Sequence, residues 1–140
     1  MKVKSFQMLT LDQWGWMMVA YWRLWMVWLR IKFKQGNWLR QKVLAPQPSS
    51  SAETSAFDPR WLAMHESVRL AARLHIVSMA CLPRSIVLAD MLRRQGDRAI
   101  VRIGVNKAGV QFVSHAWVEV DGCMVGEPEH VSEQFALLKL

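Results

Sequence analysis

The 140-residue chain is 52% hydrophobic and 21% charged. This is the composition of a globular protein, and it excludes a disordered tail, a collagen-like fibre and a disulfide-rich scaffold. The length suffices for one domain with an appendage. The two cysteines, Cys81 and Cys123, are too few for a disulfide framework and indicate a reducing compartment. Because no small-residue cleavage site follows the apolar N-terminal stretch, we expect a cytoplasmic protein.

The net charge of +7 belongs to the N-terminal end of the chain. Residues 1–45 carry eight basic residues and one acidic residue, whereas residues 46–140 carry ten of each. A basic patch over the whole chain is what nucleic-acid binding requires. Its restriction to one end therefore argues against a nucleic-acid partner.

The first predicted element is a helix in the basic, tryptophan-rich segment 1–45. Thr10-Leu-Asp-Gln13 has the pattern of a capping box, and residues 14–29 are apolar except for Gly15 and Arg23. This run is shorter than the roughly 20 apolar residues of a bilayer span and contains a charge, so we expect it not to cross a membrane.

Two interpretations of this helix remain open. It packs against the rest of the fold or a second copy, or its tryptophans and basic end contact a membrane surface or a groove on another protein.

A linker and two further helices are predicted next. Residues 46–57 contain two prolines and four serines with nothing periodic to bury, which is typical of a linker. Asp58-Pro59 then predicts the start of a helix that ends near residues 75–77. Leu82-Pro83 opens a second helix, and Gly96 ends it. We therefore divide the chain into a helical segment, a linker and a domain at 58–140.

The hydrophobic period changes from helix to strand after Gly96. Alternating apolar residues predict a strand over 99–105, a turn over 106–109 and a longer strand over 110–120. Asp121-Gly122 is a hairpin signal leading into a third short strand. The order of elements predicts a small α+β domain with three antiparallel strands.

Cys81 lies just ahead of the second helix, where free backbone N–H groups and the helix dipole stabilise a thiolate. Arg84 adds positive charge there. Cys81 is therefore the candidate nucleophile. The alternative is that its side chain is only a small buried filler, since unpaired cysteine is among the most buried residue types.

His115 is the candidate base. With a period of two, it shares one face of its strand with Trp117, Glu119 and Asp121, and the other face is apolar and predicted to contact the core. We expect His115 to face a groove with polar neighbours, as a base requires.

A third group must orient the imidazole. Glu127 lies just past the hairpin, where it could reach His115. Asp121 and Glu119 are competing candidates, although Asp121 is more simply a turn residue and Glu119 a solvated one.

Metal and cofactor sites are not predicted. A zinc site would need Cys81, His115, Cys123 and His130 as scattered ligands, because no short paired spacing is present. The remaining histidines, His65 and His75, belong to the helix that starts at Pro59, and we expect them to be surface or packing residues.

Three blocks of sequence, taken in order, resemble a known family. Cys81-Leu-Pro-Arg-Ser85, Arg102-Ile-Gly-Val105 and His115-Ala-Trp-Val-Glu-Val-Asp-Gly122 resemble the lasso-peptide leader peptidases, which are transglutaminase-like cysteine proteases. The resemblance implies a small transglutaminase/papain-like core, in which the cysteine-bearing helix packs on a three-stranded antiparallel sheet behind a tryptophan-rich N-terminal helix. It also implies Cys81 as nucleophile, His115 as base and Glu127 where the family usually has an aspartate.

The function implied by the resemblance is removal of the leader peptide from a ribosomally made lasso-peptide precursor. The implied partners are the precursor, a separate leader-recognition protein and an ATP-dependent lasso cyclase. The recognition protein is expected to be separate because residues 1–45 lack the strand pattern of that element. Two other functions stay open: an acyltransferase that cross-links amines on the same core, and a binding module whose thiol is idle.

Overall fold

The computed structural model describes residues 10–33, 36–43, 56–108, 111–128 and 130–137. The predicted linker lies outside these ranges except for residues 56–57, and the division into segments stays a prediction. The helices are α1 (Leu11–Lys32), α2 (Gly36–Val43), α3 (Pro59–Leu74), α4 (Cys81–Arg94) and α5 (Val131–Gln134). The strands are β1 (Ala99–Ala108), β2 (Gln111–Val120), β3 (Cys123–Met124) and β4 (Ala136–Leu137). The predicted α+β fold class is confirmed.

Helix α1 begins at the capping box. Thr10 Oγ1 accepts from the Gln13 backbone N–H at 3.4 Å, and Gln13 Oε1 accepts from the Thr10 backbone N–H at 3.0 Å. Arg23 pairs with Asp90 of α4. The buried side of α1, which packs on α3 and α4, consists of Met17, Ala20, Leu24 and Val27.

The opposite side of α1 is exposed, with Met18, Trp22 and Met26 all more than half accessible. One face of α1 therefore packs on the fold, and a contact of the other face with a membrane or partner stays a prediction. Among the described residues, no helix combines the length and apolar content that a membrane crossing needs.

Helix α3 is capped as predicted, because Asp58 Oδ1 accepts from the Arg60 backbone N–H at 2.8 Å. Helix α4 begins one residue earlier than predicted, at Cys81, with Ala80 as N-cap. Pro83 occupies the third helical position, where its missing N–H has no intrahelical partner to lose.

The C-terminus of α4 is a Schellman motif around Gly96. Gly96 has φ +93° and donates to Arg93 O at 3.0 Å, and Asp97 donates to Leu92 O at 3.1 Å. The predicted end of the helix is confirmed.

The sheet is antiparallel, with strand order β3-β2-β1-β4. β1 pairs with β2 continuously from Ala99 opposite Val120 to Ala108 opposite Gln111. The prediction of a turn at 106–109 is therefore wrong for residues 106–108. Pairing with residues 111–113 keeps them in the ladder despite their turn-forming sequence. The second hairpin is confirmed, because Asp121 (φ 47°) and Gly122 (φ 82°) have the left-handed torsions of a type I′ turn.

A fourth strand extends the three that the sequence predicts. β4 adds to the free edge of β1, with Leu137 opposite Gly104 and Ala136 opposite Val105. For residues 128–140 the sequence predicts only a short strand or loop and a final helical turn. Two residues are too short for a period-two pattern, so the sequence did not place this strand in the sheet.

The core lies between the helices and one face of the sheet. Ala116, Val118 and Val120 on that face are at most 4% exposed, as the alternation predicted. They face α4, whose buried side includes Ile86, Leu88, Ala89 and Leu92.

Candidate active site

Cys81 is the first residue of α4, and its thiol is free and half-buried. Ala80, the N-cap, has no side chain that could accept a hydrogen bond from the first turn. The backbone N–H groups at this helix end therefore have no side-chain cap, and they add to the positive end of the helix dipole beside the sulfur.

Ser85, one turn further along α4, ties the cysteine helix to the histidine strand. It is 6% exposed, and its hydroxyl donates to the backbone carbonyl of Ala116 at 3.0 Å. Ala116 directly follows His115. This bond fixes the start of α4 relative to the part of β2 that carries the imidazole.

A narrow cavity of about 40 Å³ opens beside the cysteine. Its lining comes from α3, α4, β2 and the loop after β3. It includes His65, Arg69, Cys81, Arg84, Trp117 and Glu127. The two arginines bring positive charge to the same space as the sulfur. The predicted nucleophile and the predicted acid therefore share one cavity.

His115 lies next to Glu127. Nε2 of the imidazole is 3.4 Å from Glu127 Oε1, and both side chains are about one quarter exposed. The ring stacks on Trp117 with centroids 6.1 Å apart, and it lies 5.6 Å from the ring of Phe135. The neighbours of His115 are thus more aromatic than expected. With Nε2 facing Glu127, Nδ1 is the nitrogen left for the thiol.

His115 is not among the residues that line this cavity, but its ring pairs with Glu127 and stacks on Trp117, which both line it. Within the described part of the chain, no hydrogen bond joins the Cys81 sulfur to His115. The structure therefore brings Cys81 and Glu127 to one cavity and pairs Glu127 with His115.

The two competing acids have other partners. Glu119 accepts from Arg102 Nε and from Trp117 Nε1, both at 3.0 Å, and its side chain is 17% exposed. The expectation that Glu119 is a solvated side chain is wrong, because these two donors hold it against the sheet. Asp121 forms an ion pair with Arg98 at 2.9 Å at the turn.

The alternative of a zinc site gains no support from the geometry. Among the residues that the structure describes, no group of three or more histidine, cysteine or acidic side chains is arranged to hold a metal ion.

His65 is the site residue that sequence reasoning missed. It was expected to be a surface or packing residue, but it lines the same cavity as Cys81 and Glu127. Burial lowers the pKa of His65 below its ordinary value of 6.5, against the opposing effect of Glu66 and Glu127. Its position was not predictable, because nothing in the spacing of a helix indicates which distant loop covers it. His75 is a packing residue as expected, stacked on Tyr21 at 4.5 Å.

A half-buried cysteine at a helix start, packed on an antiparallel sheet whose histidine pairs with a carboxylate from a neighbouring loop, defines the class of papain-like and transglutaminase-like folds. These folds move acyl groups through a cysteine, as cysteine peptidases or as acyltransferases. A scan against family models agrees, matching the transglutaminase-like superfamily over residues 23–139. The chain belongs to this superfamily. The match begins within α1 and includes the whole sheet. No curated protein and no solved structure matches the chain.

Proposed function

We propose that this chain is a cysteine peptidase that removes the leader peptide from a lasso-peptide precursor, with Cys81 as nucleophile, His115 as base and Glu127 as the orienting acid. The observation that carries the proposal is the pairing of His115 Nε2 with Glu127 Oε1 at 3.4 Å, beside a cavity that Glu127 shares with Cys81. The family membership supports cysteine-based acyl chemistry. The resemblance of the Cys81 and His115 blocks to leader peptidases supports the finer assignment.

The first chemical step is formation of the thiolate. Nδ1 of His115 takes the proton from Cys81, and Glu127 stabilises the resulting imidazolium through Nε2. The uncapped start of α4, Arg69 and Arg84 place positive charge beside the sulfur. Catalytic hydrogen bonds are often long in free enzymes and shorten when substrate binds. The imidazole therefore needs to turn toward the sulfur on binding.

The thiolate then attacks the scissile carbonyl and forms a tetrahedral oxyanion. Backbone N–H groups of the first turn of α4, among them that of Cys81, are placed to stabilise this charge. Collapse breaks the C–N bond, and the imidazolium gives its proton to the departing amine of the core peptide. The leader stays on the sulfur as a thioester. Water, deprotonated by His115, releases the leader as a carboxylate and restores the thiol.

The partners follow from this reaction and stay part of the proposal. They are the precursor peptide, a separate protein that holds the leader, and an ATP-dependent cyclase that closes the freed N-terminus onto a side-chain carboxylate. The exposed side of α1, with Met18, Trp22 and Met26, is available for one of these proteins or for a membrane surface.

The two cysteines offer a matched test. Cys81→Ala should abolish cleavage of the cognate precursor. Cys123→Ala should cleave at a normal rate, because Cys123 lies next to the hairpin turn, paired with Val120, and is not among the residues that line the cavity beside Cys81. Normal cleavage by Cys81→Ala would show that the assignment is wrong.

The mass of the leader product separates hydrolysis from acyl transfer. Hydrolysis gives the free leader acid, whereas cross-linking in the presence of an added amine gives an amide adduct. A dominant adduct would assign the chain to the acyltransferases of the same superfamily.

A further inference from the structure

The direction of Glu127 is set by the loop that carries it. Val125 is 1% exposed, and its N–H donates to Val118 O at 2.9 Å, which anchors the loop on β2. Gly126 follows with φ +75°, a torsion that favours glycine. Glu127 comes next and extends its carboxylate to His115. The conformation of Gly126 therefore decides where this carboxylate points.

The ring of His65 lies against Gly126 on the side where a side chain would project. A Cβ atom added to Gly126 would lie 2.3 Å from His65 Nδ1, 2.4 Å from Cε1 and 2.5 Å from Cγ. The imidazole thus occupies the space that a side chain at position 126 would need. His65 Nδ1 is buried without a hydrogen-bond partner among the described residues, and Glu66 Oε1 lies 3.7 Å from it. The contact between His65 and the loop is a packing contact of the ring.

Four charged groups act on His65: Glu66 and Arg69 on α3, Arg84 on α4, and Glu127 on the loop. Burial favours the neutral ring, as do the two arginines. A neutral His65 does not compete with His115 for the Glu127 carboxylate. A protonated His65 would compete, because it would offer the same carboxylate a second cation.

We propose that His65 is a positioning residue for Glu127: its ring packs on Gly126, holds the loop 125–127 against α3, and thereby turns the Glu127 carboxylate toward His115. The inference rests on the proposed function, because it treats Cys81, His115 and Glu127 as one unit.

Alkylation of Cys81 by iodoacetamide at pH 6 tests the proposal without any peptide substrate. An ordinary thiol is almost fully protonated at this pH and reacts slowly, whereas a thiolate held by His115 reacts readily. Peptide mass spectrometry resolves Cys81 from Cys123. Glu127→Ala should slow the reaction by about tenfold, the equivalent of about 1.4 kcal/mol. His65→Ala should slow it by about fivefold, a typical effect for coupled neighbours.

The double variant carries the decisive result. Because His65 acts through Glu127, the His65→Ala/Glu127→Ala protein should react no more slowly than Glu127→Ala alone. If the rate reductions of the two single variants multiply in the double variant, His65 acts independently of Glu127 and the proposal is overturned. An unchanged rate in His65→Ala would overturn it as well.

His65→Phe keeps a flat ring on Gly126 and removes both nitrogens, so it serves where the alanine variant fails to fold. We expect it to retain the wild-type alkylation rate. An alkylation rate as low as the one expected for His65→Ala would contradict a packing role.

Two glycine variants give an independent test. Gly126→Ala and Gly96→Ala both place an alanine at a positive φ, but a Cβ at Gly96 meets nothing within 4 Å. Only Gly126→Ala should slow alkylation of Cys81, and equal rates in the two variants would contradict the proposal. A wild-type protein that alkylates readily but does not cleave the precursor would refute the leader-peptidase function and leave the role of His65 intact.

Discussion

The hydroxyl of Ser85 donates to the carbonyl of Ala116 at 3.0 Å, and this one bond joins the helix of the candidate nucleophile to the strand of the candidate base. Ser85 is one helical turn after Cys81, and Ala116 is the residue after His115. The relative position of the sulfur and the imidazole therefore depends on a buried contact between neutral groups, outside the reacting atoms.

Ser85→Ala should lower both stability and activity. Loss of the buried hydrogen bond should reduce the free energy of unfolding by about 1 kcal/mol. It should also reduce kcat, because α4 and β2 are no longer aligned at the site. Urea unfolding and precursor cleavage measure the two effects. Ser67→Ala is the matched control: Ser67 is also buried, but it donates to Ala63 O within its own helix. Equal effects of the two variants on kcat would contradict the alignment role of Ser85.

Glu127→Gln should reduce kcat/KM by about 10- to 100-fold, a part of the roughly 10²- to 10⁴-fold that a positioned base supplies. The reason is that the amide cannot stabilise the imidazolium as a carboxylate does. Steady-state cleavage kinetics measure the loss. Asp121→Asn is the control, because Asp121 pairs with Arg98 at the turn, and it should leave kcat/KM unchanged. A loss of kcat/KM in Asp121→Asn together with an unchanged kcat/KM in Glu127→Gln would make Asp121 the orienting acid.

Gly104 permits the aromatic cover of His115. A Cβ at this position would lie 2.5 Å from Phe135 Cβ and 2.9 Å from Trp117 Cζ3. Gly104→Ala should therefore displace Phe135 and destabilise the protein. Gly15→Ala should have the opposite sign, because a Cβ there meets nothing within 4 Å and alanine favours an exposed helix by about 0.8–1.0 kcal/mol. Thermal unfolding of the two variants measures the contrast, and a stable Gly104→Ala protein would contradict the close approach.

His65 should make stability depend on pH below its ordinary pKa of 6.5. Burial lowers the pKa of His65 in the folded state, so the unfolded chain binds the proton more readily. Its contribution to stability is therefore full above pH 6.5 and is lost as the pH falls toward the lowered folded pKa. Between pH 7 and pH 5, wild-type Tm should fall more steeply than that of His65→Gln. Parallel slopes for wild type and His65→Gln would be inconsistent with a buried, neutral His65.

Local sequence patterns predicted much of this fold. Pro83 and Gly96 delimit the α4 helix to within a residue or two, because each restricts the backbone at its own position. The alternation in β2 assigned Ala116, Val118 and Val120 to the core face, since side chains of a strand point to opposite faces in turn.

The features of the site that the sequence did not predict are contacts between segments far apart in the chain. Phe135 over Gly104 and His65 over Gly126 each depend on a glycine whose absent side chain makes room for a distant ring. No periodic pattern reports such a pairing. Glu119 was misjudged partly for the same reason, because Arg102, one of its two hydrogen-bond donors, lies on the neighbouring strand. Local propensity does not predict which residues far apart in the chain the tertiary structure brings together.

The central claim is that Cys81 carries the leader as a thioester. Mixing the protein with its precursor and quenching in acid within the first turnover should trap this intermediate for intact mass measurement and peptide mapping. We predict an adduct on the Cys81 peptide equal in mass to the free leader acid minus one water. Cleavage that proceeds while the Cys81 peptide stays unmodified at every time point, or an adduct on another residue, would contradict the account.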